Sequence, residues 1–83
     1  MVGGRLIEIA HLNGVDSGIW RLWCVDRNGD ECAVRVSCPK DQALPELGEE
    51  IWWQSGKVYF DGDKSSLTKL GNSWDPRKEG QSQ

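Results

Sequence analysis

Residues 19–38, IWRLWCVDRNGDECAVRVSC, contain the pattern that decides the fold. Two segments rich in apolar, aromatic and β-branched residues flank the short polar stretch Arg27-Asn28-Gly29. An Asn-Gly pair between two such segments is a strong signal for a β-hairpin, because both residues tolerate the positive φ angles of a tight turn. The stretch therefore predicts two antiparallel strands joined by a tight turn.

The register of this hairpin follows from the charges on its strands. A three-residue loop with Gly29 in the left-handed conformation pairs Cys24 with Cys32. One face is then wholly apolar and consists of Trp20, Leu22, Cys24, Cys32, Val34 and Val36. A two-residue loop would exchange the faces and place Arg21 with the valines, because side chains alternate along a strand. We therefore predict the three-residue loop, with the apolar face in the core.

A second hairpin is predicted around Ser55-Gly56. A two-residue loop at this point gives another apolar face, in which Trp53 pairs with Val58 and Ile51 with Phe60. The opposite, outward face then carries Trp52 opposite Tyr59 and Gln54 opposite Lys57.

Short periodic segments separated by turn-forming residues extend the strand pattern over most of the chain. The predicted strands span 5–12, 19–26, 31–38, 49–54 and 57–61, with a short sixth at 67–70. Residues 39–48 form an irregular connection with room for one helical turn at 41–44. Residues 1–73 are expected to form a single domain, followed by a polar, frayed tail at 74–83.

Three meandering strands, a loop and a two-stranded hairpin follow the strand order of an OB-type barrel whose connecting helix is reduced to a loop. An SH3-like barrel fits the same pattern. The sequence thus predicts an all-β fold, a small antiparallel barrel of five or six strands with an irregular loop between strands three and four. We expect the sheet to close, because closure removes exposed strand edges and a flat sheet would leave a large apolar face in water.

The composition narrows the classes of partner. The net charge is −3, with 10 Lys/Arg and 13 Asp/Glu, so the chain lacks an overall basic footprint for nucleic acid or anionic membranes. No segment approaches the ~20 apolar residues of a membrane span, and no signal peptide is evident. We therefore expect a cytoplasmic protein that does not bind membranes.

The cysteines are predicted to be buried thiols. Cys24, Cys32 and Cys38 lack the close Cys-x2-Cys spacing of a structural zinc site, and no metal or other cofactor is expected. Thiols persist in the cytoplasm, although Cys24 and Cys32 face each other and could form a disulfide in an oxidising compartment.

The outer face of the first hairpin holds the first candidate binding residues, Arg21, Trp23 and Arg35. The predicted register places Arg21 directly opposite Arg35, and like charges in that arrangement destabilise a sheet by about a few tenths of a kcal/mol. Folding alone would not favour this pair beside an outward Trp23, and Arg and Trp are enriched at binding hot spots. The alternative is structural: a first-strand carboxylate such as Glu8 neutralises the pair, and Trp23 packs under a loop.

The outer face of the second hairpin supplies the other candidates, Trp52, Gln54, Lys57 and Tyr59. Adjacent aromatic residues on a sheet can stack nucleic-acid bases or contact a peptide. They can also pair for stability alone, contributing roughly 0.2–1 kcal/mol. In that alternative, the tail from Trp74 folds back over Trp52.

The stretch 44–63, LPELGEEIWWQSGKVYFDGD, followed by KLGNS at 69–73, resembles small uncharacterised proteins of bacteriophages and prophages with OB-like or SH3-like barrels. The matching residues cover under half of the chain and are mostly those that build a barrel. The resemblance implies a viral protein located in the host cytoplasm, and it implies no chemistry for individual residues.

Enzyme chemistry has little support in the sequence. The single histidine, His11, lies in a strand without a nucleophile motif nearby, and there is no glycine-rich phosphate loop. We expect a non-enzymatic binding module with a protein partner, because the overall charge is acidic. An OB-type single-stranded nucleic-acid-binding protein is the alternative. A structural component of a larger assembly, including a homodimer formed through a sheet edge, is a third class.

Overall fold

The computed structural model describes residues 2–12 and 18–77, which form six antiparallel β-strands. The strands are β1 (Val2–Leu12), β2 (Ile19–Val25), β3 (Glu31–Ser37), β4 (Glu50–Gln54), β5 (Lys57–Phe60) and β6 (Ser65–Trp74). Their order is β1-β2-β3-β6-β5-β4, and β4 pairs back onto β1 to close a barrel. The prediction of a small all-β antiparallel barrel, with an irregular connection between the third and fourth strands, is confirmed.

The first hairpin has the register that the charge argument predicts. Cys24 lies opposite Cys32, and Leu22 lies opposite Val34. Gly29 has a φ of 82°, and the Asp26 carboxylate accepts hydrogen bonds from two backbone N–H groups of the turn, each at 2.9 Å. These two bonds satisfy backbone N–H groups of the turn that would otherwise need water as a partner. They stabilise the three-residue turn, and this turn sets the register of the two strands.

The second hairpin also has its predicted loop. Ser55 and Gly56 both have positive φ angles, 54° and 81°, as a two-residue hairpin loop of type I′ requires. Trp53 pairs with Val58, and both are buried in the core.

The core contains the apolar faces of all six strands. Its buried members are Leu6, Leu22, Cys24, Val34, Val36, Cys38, Ile51, Trp53, Val58, Phe60 and Leu67. Trp20 and Cys32, which the sequence also places inward, are half-buried and pack against this cluster. Leu44 from the connection between β3 and β4 packs against it as well, so the irregular segment covers part of the core.

Strand β1 is longer than predicted and serves two neighbours. Residues Val2–Arg5 pair with β4, whereas Arg5–Leu12 pair with β2. A β-bulge between Leu6 and Glu8 interrupts the second ladder and leaves Ile7 46% exposed. Because the extra residue resets the alternation, Leu6 is buried in the core while Glu8 lies opposite Trp23.

Two local predictions are wrong. The helical turn at 41–44 does not form, since the chain there makes a non-helical turn in which the Gln42 N–H donates to the Pro39 carbonyl at 3.0 Å. The sixth strand spans 65–74 rather than 67–70, because its second half pairs with β3, and Trp74 lies opposite Ala33. Of the predicted tail, residues 78–83 lie outside the described residues.

Within residues 2–12 and 18–77, no helix has the length and apolar character needed to cross a membrane.

Candidate functional site

The outer side of β2, β3 and β6 carries a cluster of arginines and tryptophans, here called the Arg/Trp face and defined by Arg21, Trp23, Ala33, Arg35 and Trp74. Ala33 is central, with Trp23 opposite it on β2 and Trp74 opposite it on β6. Although Ala33 belongs to the outward row of β3, it is 0% exposed. We infer that the two flanking indoles cover this small side chain.

The two arginines lie directly opposite each other in the next row, as predicted. They differ in their surroundings. A terminal nitrogen of Arg21 donates to Glu8 Oε1 at 2.9 Å, and the Arg21 guanidinium lies 5.6 Å from the centroid of the Trp23 ring. The alternative in which Glu8 neutralises the arginine pair is therefore correct for Arg21. The bulge of β1 brings the Glu8 carboxylate to this side chain.

Arg35 remains exposed, and its guanidinium lies 5.5 Å from the centroid of the Trp74 ring. Within the part of the chain that the structure describes, no carboxylate oxygen lies within 4.0 Å of an Arg35 nitrogen. A cation held over an aromatic face has fewer conformations to lose on binding than a freely rotating arginine. Arg35 is thus a positioned and unneutralised cation.

The polar edges of the two indoles also differ. Trp23 is half-buried rather than fully outward, and its Nε1–H donates to Glu31 Oε1 at 2.8 Å. Trp74 Nε1 is buried, and among residues 2–12 and 18–77 it has no hydrogen-bond partner. A buried N–H without a partner costs about 1–3 kcal/mol, so hydrogen bonding of this group does not stabilise the position of Trp74.

Sequence reasoning missed Trp74 as a member of this face. It assigned Trp74 to the tail, and the structural alternative placed it over Trp52. That placement is wrong, because Trp74 ends β6 beside β3, and the Trp52 Nε1–H instead donates to Asp63 Oδ1 at 2.6 Å. A large aromatic side chain in an otherwise polar segment is the signal that could have indicated a docked residue.

The second predicted surface forms on β4 and β5. Trp52 and Tyr59 lie opposite each other with ring centroids 4.3 Å apart and an interplanar angle of 22°, so the rings are stacked. Gln54 lies opposite Lys57, and both are exposed. In the order of the barrel, β6 separates this aromatic pair from β3, and β1 separates it from β2. The seven predicted binding residues therefore form two surfaces rather than one.

The cysteines are free thiols in this structure. Burial raises the pKa of Cys24 from 9.0 to about 12, with smaller contributions from the negative charges of Cys32, Asp26 and Glu50. Burial also raises the pKa of Cys38. A raised pKa keeps a thiol protonated and unreactive, so these two residues fit a structural role.

Among the described residues, no group of three His, Cys, Asp or Glu side chains is arranged to hold a metal ion. His11 packs against Trp20, with ring centroids 4.4 Å apart.

Comparisons with protein-family models, with curated proteins and with solved structures gave no match for this chain.

Proposed function

We propose that the protein is a non-enzymatic binding module that recognises an acidic segment of a protein partner through the Arg/Trp face. The observation that carries this proposal is the state of Arg35, which is exposed, held over Trp74 and without a carboxylate neighbour among the described residues. Its guanidinium is free to bind a carboxylate in a bidentate manner, which gives both affinity and orientation.

The rest of the face supports such an interaction. Arg21 is already paired with Glu8 through a terminal nitrogen, while its buried Nε has no hydrogen-bond partner among the described residues. Trp23 and Trp74 supply large, rigid apolar areas on either side of Ala33, and tryptophan beside arginine is the composition typical of binding hot spots. The predicted cytoplasmic location and the phage resemblance are compatible with this role and stay predictions.

Arg35→Glu is expected to weaken peptide binding at least about tenfold, because it replaces the free cation by a charge that repels acidic residues. Peptides would be selected from a random displayed library on the wild-type protein and measured by titration against both forms. We expect the selected peptides to be rich in Asp and Glu. Lys40→Glu is the matched control, since it makes the same charge change at an exposed position in the connection between β3 and β4.

Two results would contradict the proposal. Selected peptides that bind Arg35→Glu as tightly as the wild type would place recognition elsewhere. A fall of several degrees in the melting temperature of Arg35→Glu, absent from Lys40→Glu, would show that Arg35 serves the fold rather than a partner.

The stacked pair of Trp52 and Tyr59 supports a second candidate function, single-stranded nucleic-acid binding, with Lys57 nearby as a phosphate contact. In that case a labelled oligothymidylate should bind at low salt, with an affinity that falls steeply as salt increases. Trp52→Ala should then cost about 1–3 kcal/mol of binding free energy, whereas Trp23→Ala should cost little. Absence of binding at low salt would eliminate this candidate.

A further inference from the structure

Cys24 on β2 and Cys32 on β3 lie directly opposite each other, and both are free thiols. We propose that these two residues form a reversible cross-strand disulfide, so that the first hairpin contains a thiol–disulfide switch that glutathione disulfide closes. The inference concerns a covalent modification site on the inner side of the hairpin, and it does not rest on the function proposed for the Arg/Trp face.

The first argument is the spacing of the two strands at this pair. The Asp26 N–H donates to the Asp30 carbonyl at 2.9 Å, which makes these residues a hydrogen-bonded pair. Hydrogen-bonded and non-hydrogen-bonded pairs alternate along an antiparallel ladder, so Cys24 and Cys32, two positions further along, form a hydrogen-bonded pair as well. The Cα atoms of such a pair lie about 5.5 Å apart, within the range of about 4.4–6.8 Å that disulfides span.

The second argument is that the fold selects one pairing of the three cysteines. Cys38 follows Cys32 by six positions in the direction of β3, which corresponds to about 20 Å of extended chain. Two cysteines with Cα atoms more than about 7 Å apart cannot be joined without movement of the backbone. The native barrel therefore permits a disulfide between Cys24 and Cys32 and keeps Cys38 out of it.

The third argument is that the two opposed thiols differ in their access to solvent. Cys32 is half-buried, whereas Cys24 is 0% exposed. Cys32 is therefore the thiol that a solute such as glutathione disulfide reaches first. Burial raises the pKa of Cys24 to about 12, and the negative charge of Cys32 adds to this shift, so the two sulfur atoms are close enough to interact.

The reaction proceeds in two exchange steps. The Cys32 thiol loses its proton to water, and the thiolate attacks one sulfur of glutathione disulfide; that S–S bond breaks, a Cys32–glutathione mixed disulfide forms and one glutathione thiolate leaves. The Cys24 thiol then loses its proton and attacks Cys32 Sγ, which releases the second glutathione thiolate. The two thiolates take up the two protons. Two cysteine thiols are thus oxidised, and one glutathione disulfide is reduced to two molecules of glutathione.

Closure changes the hairpin because a disulfide is shorter than the native spacing. Directly opposed Cβ atoms in a sheet lie about 4.5–5.5 Å apart, with hydrogen-bonded pairs at the upper end, whereas a disulfide holds its Cβ atoms at about 3.5–4.5 Å. The strands must therefore move together, and the strain makes the bond easier to reduce. The next pair along the ladder is Trp23 with Ala33, at the centre of the Arg/Trp face. Oxidation inside the hairpin consequently changes its outer face.

The test treats the full chain with glutathione disulfide under native conditions, blocks the remaining thiols and digests the product with trypsin. Trypsin cleaves after lysine and arginine, so each cysteine lies in a separate peptide, 22–27, 28–35 or 36–40. We expect 22–27 to be linked to 28–35, and excess reduced glutathione to restore the free thiols. In two-dimensional ¹H–¹⁵N NMR, oxidation should shift the indole N–H signal of Trp23 and leave that of Trp52 unchanged.

Three variants assign the steps. Cys38→Ala is the matched control and should form the same disulfide as the wild type. Cys24→Ala should stop at the mixed disulfide on Cys32, and Cys32→Ala should form no intramolecular disulfide. Because the pKa of Cys24 is raised to about 12, the second step in the wild type should accelerate as pH rises above neutrality.

Four results would overturn the inference: no reaction of the wild type, a wild-type reaction that stops at the mixed disulfide, a disulfide that includes Cys38 in the native chain, or an unchanged Trp23 signal after complete oxidation. The spectrum of each variant before oxidation shows directly whether it is folded. Arg35→Glu retains both cysteines and should oxidise like the wild type, whereas it is the decisive variant for the Arg/Trp face. Failure of either proposal can therefore be recognised without the other.

Discussion

Gly4→Ala is expected to lower the free energy of unfolding by about 1–3 kcal/mol, the usual cost of forcing extra atoms into a closely packed position. The added Cβ would lie 2.3 Å from the carbonyl oxygen of Val25 and 2.6 Å from its carbonyl carbon. These are backbone atoms of a paired strand, so the clash with the added Cβ can be relieved only if β1 and β2 move apart. For a domain of this size, each kcal/mol corresponds to about 4–8 °C in melting temperature. Urea unfolding followed by tryptophan fluorescence measures the effect.

Gly29→Asn is the matched control for this prediction. Gly29 has a φ of 82°, but a Cβ there would meet nothing within 4 Å. Asparagine tolerates the left-handed region better than other side chains, so we expect Gly29→Asn to cost less than about 1 kcal/mol. If Gly4→Ala proved no more costly than Gly29→Asn, β1 and β2 would not approach each other as closely as described.

The parts of the fold that the sequence predicts are those set by local pairing. In each hairpin, a tight turn fixes which residues face each other, and in the first hairpin the three-residue loop is the register that keeps Arg21 off the inward face. For that reason the pairing of Cys24 with Cys32 and of Trp53 with Val58 could be derived, and with them most of the core. The opposition of Arg21 and Arg35 follows from the same register.

The parts that could not be predicted depend on strands distant in sequence. The bulge between Leu6 and Glu8 has no signature in the sequence of β1, a strand that pairs with β4 at one end and with β2 at the other. The second half of β6 shows no alternating pattern, since the register shifts between its contacts with Ala33 and Arg35. Its strand character comes from pairing with β3.

These long-range features change the interpretation of the candidate site. The bulge brings Glu8 to Arg21, which neutralises one of the two arginines, and the second half of β6 brings Trp74 to Arg35. The sequence alone does not distinguish the two arginines as contacts for a partner. The structure distinguishes them, so the proposed recognition is centred on Arg35 and Trp74 rather than on Arg21 and Trp23.

Alkaline pH is expected to destabilise the barrel through Cys24. Burial raises the pKa of this thiol from 9.0 to about 12 in the folded chain. Above about pH 9 the unfolded chain releases the proton while the folded chain retains it. The stabilising contribution of the protonated thiol is therefore complete below pH 9 and declines as pH rises toward 12, by up to about 1.4 kcal/mol per pH unit. Urea unfolding under reducing conditions at about pH 8 and about pH 10.5 measures the difference.

Other groups also titrate in this range, so the effect is isolated by comparison with Cys24→Ala. That variant should be less stable than the wild type at about pH 8, because a buried side chain is truncated, and the gap should narrow as pH rises. Cys32→Ala retains the Cys24 thiol and should keep the steeper pH dependence of the wild type. Parallel stability curves for the wild type and Cys24→Ala would show that the thiol ionises equally in both states. Water would then reach Cys24 in the folded barrel, contrary to its 0% exposure.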